Sequence, residues 1–130
     1  MGYTLRFYPE TIALGRKIVE ALQAEGVSCW MRGENGPPDW HIYSYMFPVT
    51  LQGSPTEAGC PFSCPLYVED AGAVEYQRGD CPVADDLFDR MISVGLNQWL
   101  TARDCRNIAT GINKALAAYC TEDPRARTWM

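Results

Sequence analysis

Three stretches of the chain carry apolar residues at every third or fourth position, the spacing that places side chains on one face of a helix. In the first stretch, Leu14, Ile18 and Leu22 form the apolar stripe. Gly26 follows the last turn, where a residue without a Cβ suits a left-handed C-cap. The pattern predicts three helices, near residues 9–25, 82–91 and 103–119.

The second predicted helix has an apolar side and an acidic side. Asp80 is the expected N-cap, because its side chain can accept a hydrogen bond from a free backbone N–H of the first turn. The apolar side, which we expect to be buried, consists of Val83, Leu87 and Met91. The acidic side, which we expect to face solvent, consists of Asp85, Asp86 and Asp89.

The third predicted helix opens on a capping signal. Thr101 is the expected N-cap, and Asp104, three residues further on, is its partner in a shortened capping box. The expected buried face consists of Cys105, Ile108, Ala109, Ile112 and Leu116.

Alternation of apolar and polar residues predicts short strands at residues 3–8 and 41–47. Residues 27–30 are a further predicted strand, and residues 92–96 are predicted to be a strand or an extended segment. The first strand, the first helix and the second strand make a β-α-β unit. We therefore expect a small α+β fold, with a short, mostly antiparallel sheet and the three helices on one face. A length of 130 residues suits a single domain over residues 1–130.

A long region at residues 33–80, rich in proline, glycine and aromatic residues, interrupts this regular pattern. Seven of the nine prolines lie between positions 37 and 82, and glycines are interspersed among them. Within the region, only residues 41–47 alternate in the manner of a strand. Long irregular segments inside a compact domain tend to be binding loops or disordered linkers, and the aromatic content favours a binding loop.

Composition and charge exclude several classes of protein. The apolar fraction of 47% and the charged fraction of 21% are typical of a globular chain. A net charge of −5, without a run of Lys or Arg, argues against a nucleic-acid or acidic-membrane surface. No apolar run approaches the roughly 18 residues of a membrane span, and the N-terminus lacks a signal-peptide core. We expect a cytoplasmic protein whose six cysteines are reduced thiols.

Two cysteines in the irregular region raise the question of metal chemistry. Cys60 and Cys64 lie in the segment CPFSC, and Cys81 or His41 could complete a zinc set with them. Zinc sites use ligand pairs this close together, but a second tight pair is missing. Thiol redox chemistry and a structural, loop-lining role are the alternatives, and the sequence leaves all three open.

The chain lacks a convincing catalytic set of its own. His41, the only histidine, could be a general acid or base, or a hydrogen-bonded structural residue. The only lysines, Lys17 and Lys114, lie in predicted helices outside the apolar stripes, so we expect both to face solvent. A lysine used for Schiff-base chemistry needs a desolvated pocket or a cationic neighbour. We assign no catalytic residue, no cofactor-binding residue and no metal ligand to this chain.

Several motifs follow one another in an order that is similar to a known family. Residues 3–30 contain LQAEGV at the end of the first helix, and residues 78–116 contain CPVA and then LT with Asp104 before the last helix. Between them lie DWHIY and EAGCPFSCPLY. This order resembles the C-terminal small domain of DegT/DnrJ/StrS-type sugar aminotransferases, including a branch in which a Cys-Pro loop replaces the commoner HYP loop. The resemblance covers about residues 3–119.

The resemblance implies a part of a fold-type I pyridoxal-phosphate enzyme, which transfers an amino group from an amino acid to a keto-sugar or related ketone. In that family, a large N-terminal domain holds the Schiff-base lysine and the cofactor, and this sequence contains no such domain. We therefore expect a partner chain with the large domain that holds pyridoxal phosphate, in a hetero-oligomer that acts on a small molecule.

A small domain that closes over a cofactor held elsewhere needs substrate-facing side chains, and closure excludes water from the reaction. Rings that stack and groups that hydrogen-bond suit a polyhydroxylated substrate. The residues that we place on this wall are Trp40, His41, Tyr43 and Tyr45. The loop that contains Cys60 and Cys64 is expected nearby. Because alternation puts the two tyrosines on one face of the predicted strand, they could equally belong to the core.

Alternative interpretations differ in the origin of the chain and in its class. The enzyme could be naturally split between two genes, or the chain could be an excised domain or a truncated product. A different class is a non-catalytic regulatory or ligand-binding module that has kept the small-domain fold. A weaker interpretation is a metal-binding or redox domain that uses the cysteines.

Overall fold

The computed structural model describes residues 2–71 and 75–125. The chain divides into two compact units. The sheet unit consists of the residues up to Asn35 and from Leu87 onward, and the loop unit is Gly36–Asp86. The loop unit largely coincides with the irregular region at residues 33–80, and the expectation of a single domain stays a prediction.

The described residues form three strands, five α-helices and one 3₁₀ helix. In chain order these elements are β1 Gly2–Phe7, α1 Ile12–Ala24, β2 Cys29–Met31, the 3₁₀ helix Tyr43–Tyr45, α2 Phe47–Thr50, α3 Pro65–Ala71, α4 Pro82–Arg90, β3 Ile92–Asn97 and α5 Ala102–Tyr119. The fold is α+β, as predicted. Helices α2 and α3 were not predicted. None of the helices described is long and apolar enough to cross a lipid bilayer.

The sheet unit contains one antiparallel sheet with the strand order β1-β3-β2. Val94 of β3 lies opposite Leu5 on one side and opposite Cys29 on the other. Strands β1 and β2 therefore run parallel to each other with β3 between them. The small antiparallel sheet is confirmed, and its central strand separates the two strands of the predicted β-α-β unit.

The core of the sheet unit forms where α1 and α5 pack against the sheet. Its fully buried residues include Ile18 and Leu22, which confirms the stripe predicted for the first helix. The core cluster consists of Ile18, Leu22, Val27, Cys29, Ile92, Val94, Ile112 and Ala115. Two of the three predicted helices, α1 and α5, contribute residues to this cluster.

The C-terminus of α1 confirms the predicted glycine cap. Gly26 has a φ of 79°, a conformation that costs little only for a residue without a Cβ. Its N–H bonds to the carbonyl of Gln23 at 3.0 Å, and the N–H of Val27 bonds to the carbonyl of Leu22 at 2.9 Å. These two bonds make a Schellman motif, which ends the helix and turns the chain toward β2.

The start of α5 confirms the predicted capping box. The Thr101 hydroxyl accepts a hydrogen bond from the backbone N–H of Asp104 at 3.2 Å. The Asp104 carboxylate in turn accepts one from the backbone N–H of Thr101 at 2.8 Å. Two backbone donors at the start of the helix are thereby satisfied.

The buried face of α5 is rotated relative to the prediction. Cys105 and Ala109 are exposed, whereas Gly111 and Ala115 are buried. A Cβ at Gly111 would lie 2.8 Å from Cγ2 of Val27, so this position brings the helix backbone close to its neighbour. The prediction is therefore confirmed for Ile112, which is buried, and for Ile108 and Leu116, which pack against the core cluster, and it is wrong for Cys105 and Ala109. Gly111 was missed because a glycine adds nothing to an apolar stripe.

Helix α4 begins at Pro82, one residue later than an N-cap at Asp80 would place its start. Its first hydrogen bond runs from the N–H of Asp85 to the carbonyl of Cys81 at 3.0 Å, which makes Cys81 the N-cap. The Asp80 carboxylate instead accepts a hydrogen bond from the N–H of Gln77 at 2.8 Å. The prediction of Asp80 as the cap is therefore wrong.

The predicted faces of α4 are also wrong in part. Val83, expected to be buried, is 72% exposed. Asp85 and Asp89, expected to face solvent, are buried, and only Asp86 of the three aspartates is exposed. Periodicity places charged residues in solvent by default, and it cannot detect a distant partner that makes burial of a carboxylate possible.

The strand predicted at residues 41–47 does not form. Tyr43–Tyr45 is a 3₁₀ helix, with hydrogen bonds from Tyr45 N–H to the Ile42 carbonyl (2.8 Å) and from Met46 N–H to the Tyr43 carbonyl (3.1 Å). Pro48 follows in the first turn of α2, where its missing N–H costs nothing. The segment thus satisfies its backbone locally, and the alternation of its side chains does not define two faces of a strand.

Candidate functional site

The loop unit exposes an indole ring and an imidazole ring at adjacent positions. Trp40 is 62% exposed, and the side chain of His41 is 96% exposed. The Trp40 ring meets Phe47 edge to face, with centroids 5.7 Å apart and planes at 84°. We call Asp39, Trp40, His41 and Phe47 the Trp40–His41 corner.

Asp39 fixes the position of His41 in this corner. Its Oδ1 accepts a hydrogen bond from the backbone N–H of His41 at 2.9 Å, which makes an Asx turn. The same oxygen lies 2.9 Å from the ring Nδ1 of His41. Asp39 was not among the predicted site residues, although the spacing of the aspartate and histidine in DWH is the signal that predicts such a turn.

Tyr43, two residues further on, is used inside the loop unit. Its hydroxyl donates to Oδ2 of Asp85 at 2.9 Å and accepts from the N–H groups of Gly79 (3.0 Å) and Cys81 (3.2 Å). A tyrosine hydroxyl has one hydrogen to donate and two lone pairs, so these three bonds use its full capacity. Tyr43 therefore connects the 3₁₀ helix to the start of α4 and has no hydrogen-bonding capacity left for a substrate.

The remaining residues predicted at or near the substrate-facing wall are Tyr45, Cys60 and Cys64. Tyr45 is half-buried in the 3₁₀ helix. Cys60 is exposed and Cys64 is partly buried. The substrate-facing role of Tyr45, and the proximity of the cysteine loop to Trp40 and His41, stay predictions.

The loop around Cys60 is held by hydroxyl groups. The Ser54 hydroxyl donates to the carbonyl of Cys60 at 2.5 Å, and the Cys60 N–H donates to Oγ1 of Thr56 at 3.1 Å. The peptide bond between Cys60 and Pro61 is cis. These bonds order the polypeptide on the N-terminal side of α3 without using either thiol.

All six cysteines are free thiols. Burial raises the pKa of the Cys29 thiol, which keeps it protonated and unreactive. Within residues 2–71 and 75–125, no group of three or more His, Cys, Asp or Glu side chains is arranged to hold a metal ion. The geometry of the described residues therefore gives the zinc interpretation no support.

Both lysines lie at the surface, as predicted. Lys17 is exposed on α1. Lys114 is 67% exposed, and its Nζ lies 2.6 Å from a carboxylate oxygen of Glu25. Neither amine has the desolvated surroundings that Schiff-base chemistry needs. Neither lysine is therefore placed to hold pyridoxal phosphate through a Schiff base.

The sheet unit has an open cleft of about 840 Å³ beside β1, β3 and the start of α5. Tyr3, Leu96 and Ile108 are among the residues that line it. Its two acidic residues already have partners: Glu25 is paired with Lys114, and Asp104 belongs to the capping box. The cleft is thus a concave surface without a recognisable catalytic group.

Comparison of the chain with models of protein families, with curated proteins and with solved structures finds no match. The functional interpretation therefore depends on the residues of the chain and their geometry.

Proposed function

We propose that the chain belongs to the class of accessory domains that complete a substrate site held by another polypeptide. The observation that carries this proposal is the Trp40–His41 corner, which presents an indole face and an imidazole to the outside of the loop unit. An exposed indole beside an exposed imidazole suits the binding of a ligand, whereas the two lysines are solvated.

More specifically, we propose the small subunit or domain of a pyridoxal-phosphate-dependent aminotransferase that acts on a keto-sugar or related ketone. The order of the motifs LQAEGV, CPVA and LT with Asp104 supports it, and the α+β fold is compatible with it. The partner chain would bind the cofactor, which supplies the amino-transfer chemistry when bound. The part of this chain is to bind and orient the substrate.

Within this proposal, the residues of the corner have different roles. Trp40 stacks on the substrate, and His41 hydrogen-bonds to it, because these two side chains are exposed side by side. Tyr43 supports the segment from inside, because its hydroxyl is already bonded to Asp85 and to two backbone N–H groups. The stacking of Trp40 and the hydrogen bond of His41 would improve the binding and orientation of the substrate. Proton transfer at the reacting carbon would be left to the partner chain.

The test begins with a search of the neighbouring genes for a chain that carries a large aminotransferase domain with a Schiff-base lysine, and such a chain is then used for reconstitution. Each protein is purified alone, and light scattering after size exclusion and transaminase activity are measured for each chain and for the mixture. We expect a stable complex and activity only in the mixture. Absence of a complex at micromolar concentrations of both chains contradicts the proposal.

A matched control uses the lysines of this chain. The double variant Lys17→Arg/Lys114→Arg keeps both charges but removes both amines that could form a Schiff base. We expect the mixture to keep its activity with this variant, since both side chains are exposed. Activity of the isolated wild-type chain that disappears in the double variant would show that the cofactor is held by this chain after all.

A second candidate function is a non-catalytic, ligand-binding regulatory module. It is favoured by the fact that the whole Trp40–His41 corner lies within one compact unit, so it needs no second chain to form. Binding of a ligand at Trp40 and His41 without any complex with an aminotransferase chain would favour this function over the first.

A further inference from the structure

We propose that Asp39 holds the neutral imidazole of His41 with its hydrogen on Nδ1, so that the Nε2 lone pair and the exposed ring of Trp40 together bind a neutral, hydroxyl-bearing ring such as a sugar. This inference rests on the proposed function in one respect only, namely that the bound ring is a substrate. It makes Asp39 a positioning residue, a role that the proposed function does not contain.

The tautomer follows from the chemistry of the carboxylate. An ionised carboxylate has acceptor sites and no hydrogen to donate. Since Oδ1 of Asp39 lies 2.9 Å from Nδ1 of His41, the neutral ring must carry its hydrogen on Nδ1 to make this bond. Nε2 is then the acceptor nitrogen, and it lies on a side chain that is 96% exposed.

The turn itself limits the orientation of the ring. The same Oδ1 accepts the backbone N–H of His41, and the Asp39 carbonyl accepts the N–H of Ile42 at 2.9 Å. The hydrogen bond to Asp39 therefore favours one orientation of the imidazole relative to this closed backbone turn. A fixed acceptor costs less entropy on binding than a mobile one.

The class of ligand follows from the two neighbouring side chains. An indole face packs well against the flat apolar face of a ring, and Phe47 supports the Trp40 ring from one side. The Nε2 acceptor needs a donor, which a hydroxyl group provides. The carboxylate of Asp39 and the net charge of −5 disfavour an anionic ligand such as a phosphate. A neutral cyclic polyol meets all of these conditions.

The first experiment measures the tautomer directly. The chain has a single histidine, so the ring nitrogens of His41 give one unambiguous pair of ¹⁵N resonances. They are recorded in the full chain at about pH 8, above the usual titration range of imidazole. We expect Nδ1 to carry the hydrogen in the wild type and the preference to reverse in Asp39→Ala. A wild-type ring with its hydrogen mainly on Nε2 overturns the role of Asp39.

The variant Asp39→Asn separates orientation from folding. Its amide oxygen can still accept from the backbone N–H and from the ring, so we expect the turn and the wild-type tautomer to be kept. If the backbone spectra of Asp39→Ala and Asp39→Asn match that of the wild type, any difference between the proteins reflects the tautomer of the His41 ring and not a change in folding. A tautomer that reverses in Asp39→Asn as fully as in Asp39→Ala contradicts the hydrogen bond from Nδ1 to Oδ1.

The second experiment measures the ligand. Glucose and the open-chain polyol sorbitol are titrated into the wild type, and the resonances of His41 Nε2 and of the indole rings are followed. We expect glucose to shift Nε2 and Trp40 at least threefold more than Trp30 and Trp99, which are exposed in the sheet unit without an adjacent imidazole. Equal shifts at the three indoles, or equal shifts with sorbitol, overturn the ring-binding proposal. Both experiments use the chain alone, so a failed reconstitution leaves their outcome unaffected.

Discussion

At the scale of single residues, one hydroxyl group satisfies three polar groups of the loop unit. The Tyr43 hydroxyl contacts the buried carboxylate of Asp85 and the N–H groups of Gly79 and Cys81, which lie just before α4. A buried carboxylate is costly unless its oxygens accept hydrogen bonds. The contact satisfies Oδ2 of Asp85, together with the N–H of Gly79, whereas Oδ1 is buried without a hydrogen-bond partner among the described residues. It therefore offsets part of the cost of burying Asp85 in a helix that the sequence predicts to expose it.

Removal of this hydroxyl is predicted to destabilise the protein. Tyr43→Phe keeps the ring but leaves the partners of the hydroxyl short of hydrogen bonds, and we expect a loss of about 2 kcal/mol in the free energy of unfolding. Tyr76→Phe is the matched control, because its hydroxyl has only a 3.4 Å contact with that of Tyr67. Urea unfolding of both variants measures the difference. Equal stabilities of the two variants would contradict the structural role of the Tyr43 hydroxyl.

The same residue shows what periodicity could and could not provide. Alternation left Tyr43 and Tyr45 equally open to a place in the core and to the substrate-facing wall that the family resemblance implies. In the structure both tyrosines are half-buried, whereas Trp40 and His41 are exposed. Asp85 lies 42 positions from Tyr43, so no local pattern connects them. In contrast, the Asx turn at Asp39 is a contact over two positions and was predictable from the sequence.

At the scale of elements, two of the three predicted helix ends are confirmed, whereas the cap at Asp80 is wrong and the faces of α4 and α5 are wrong in part. Gly26 and the Thr101–Asp104 capping box are local signals, and both confirm the prediction. The faces of α4 and α5 depend on which neighbour each helix meets. Small residues at the contact, such as Gly111, carry little hydrophobic signal although they determine how closely two elements pack.

The capping box is predicted to make stability depend on pH. Hydrogen bonds from the Thr101 hydroxyl and then from its backbone N–H hold the pKa of Asp104 below the usual range of an aspartate. Because the folded pKa is lower than the unfolded one, the carboxylate stabilises the fold above about pH 4, and this stabilisation is lost as the pH falls through the folded pKa.

We therefore expect wild type and Asp104→Ala to differ in melting temperature near neutral pH and to converge in acid. Thermal unfolding followed by circular dichroism between about pH 7 and pH 2.5 checks this prediction. Glu122→Ala, which removes an exposed acid outside the helices, is the control for the loss of one negative charge. If the difference in melting temperature between wild type and Asp104→Ala becomes larger in acid, the predicted direction of the pKa shift is contradicted.

The close contact of α5 is predicted to reverse the usual effect of alanine in a helix. Alanine favours a helix over glycine by about 1 kcal/mol, but a Cβ at Gly111 meets Cγ2 of Val27 at 2.8 Å. The stiff β-branched side chain cannot move away easily, so Gly111→Ala should destabilise the protein by about 1–2 kcal/mol net.

A double-mutant cycle isolates this clash from helix propensity. In the background Val27→Ala the obstructing methyl is absent, so Gly111→Ala should be neutral or stabilising there, as measured by urea unfolding. Additive effects of the two substitutions would mean that the contact with Val27 does not explain the glycine.

At the scale of the whole molecule, the two units contribute different things. The sheet unit carries the extended core and the two surface lysines, and the loop unit carries the adjacent Trp40 and His41, both with exposed side chains. The α+β class and the antiparallel sheet were predictable, because strand and helix periods differ clearly in the sheet unit. The structure of the loop unit was not predictable in this way. Its backbone hydrogen bonds are made in 3₁₀ turns, in short helices and with side-chain hydroxyl groups, and these leave no regular pattern of apolar residues in the sequence.

The division also determines which substitutions should affect a reconstituted enzyme. If Trp40 stacks on the substrate, Trp40→Ala removes a contact of about 1 kcal/mol and should raise the KM for the ketone about fivefold, with little change in kcat. Trp99→Ala is the matched control, because Trp99 is an 81% exposed indole in the sheet unit and is not next to a histidine in the sequence. Steady-state kinetics of both variants in the mixture with the large-domain chain measure the effect, and light scattering confirms equal assembly. An unchanged KM in Trp40→Ala, with the complex intact, would remove the loop unit from the substrate site, because Trp40 supplies its largest exposed ring next to His41.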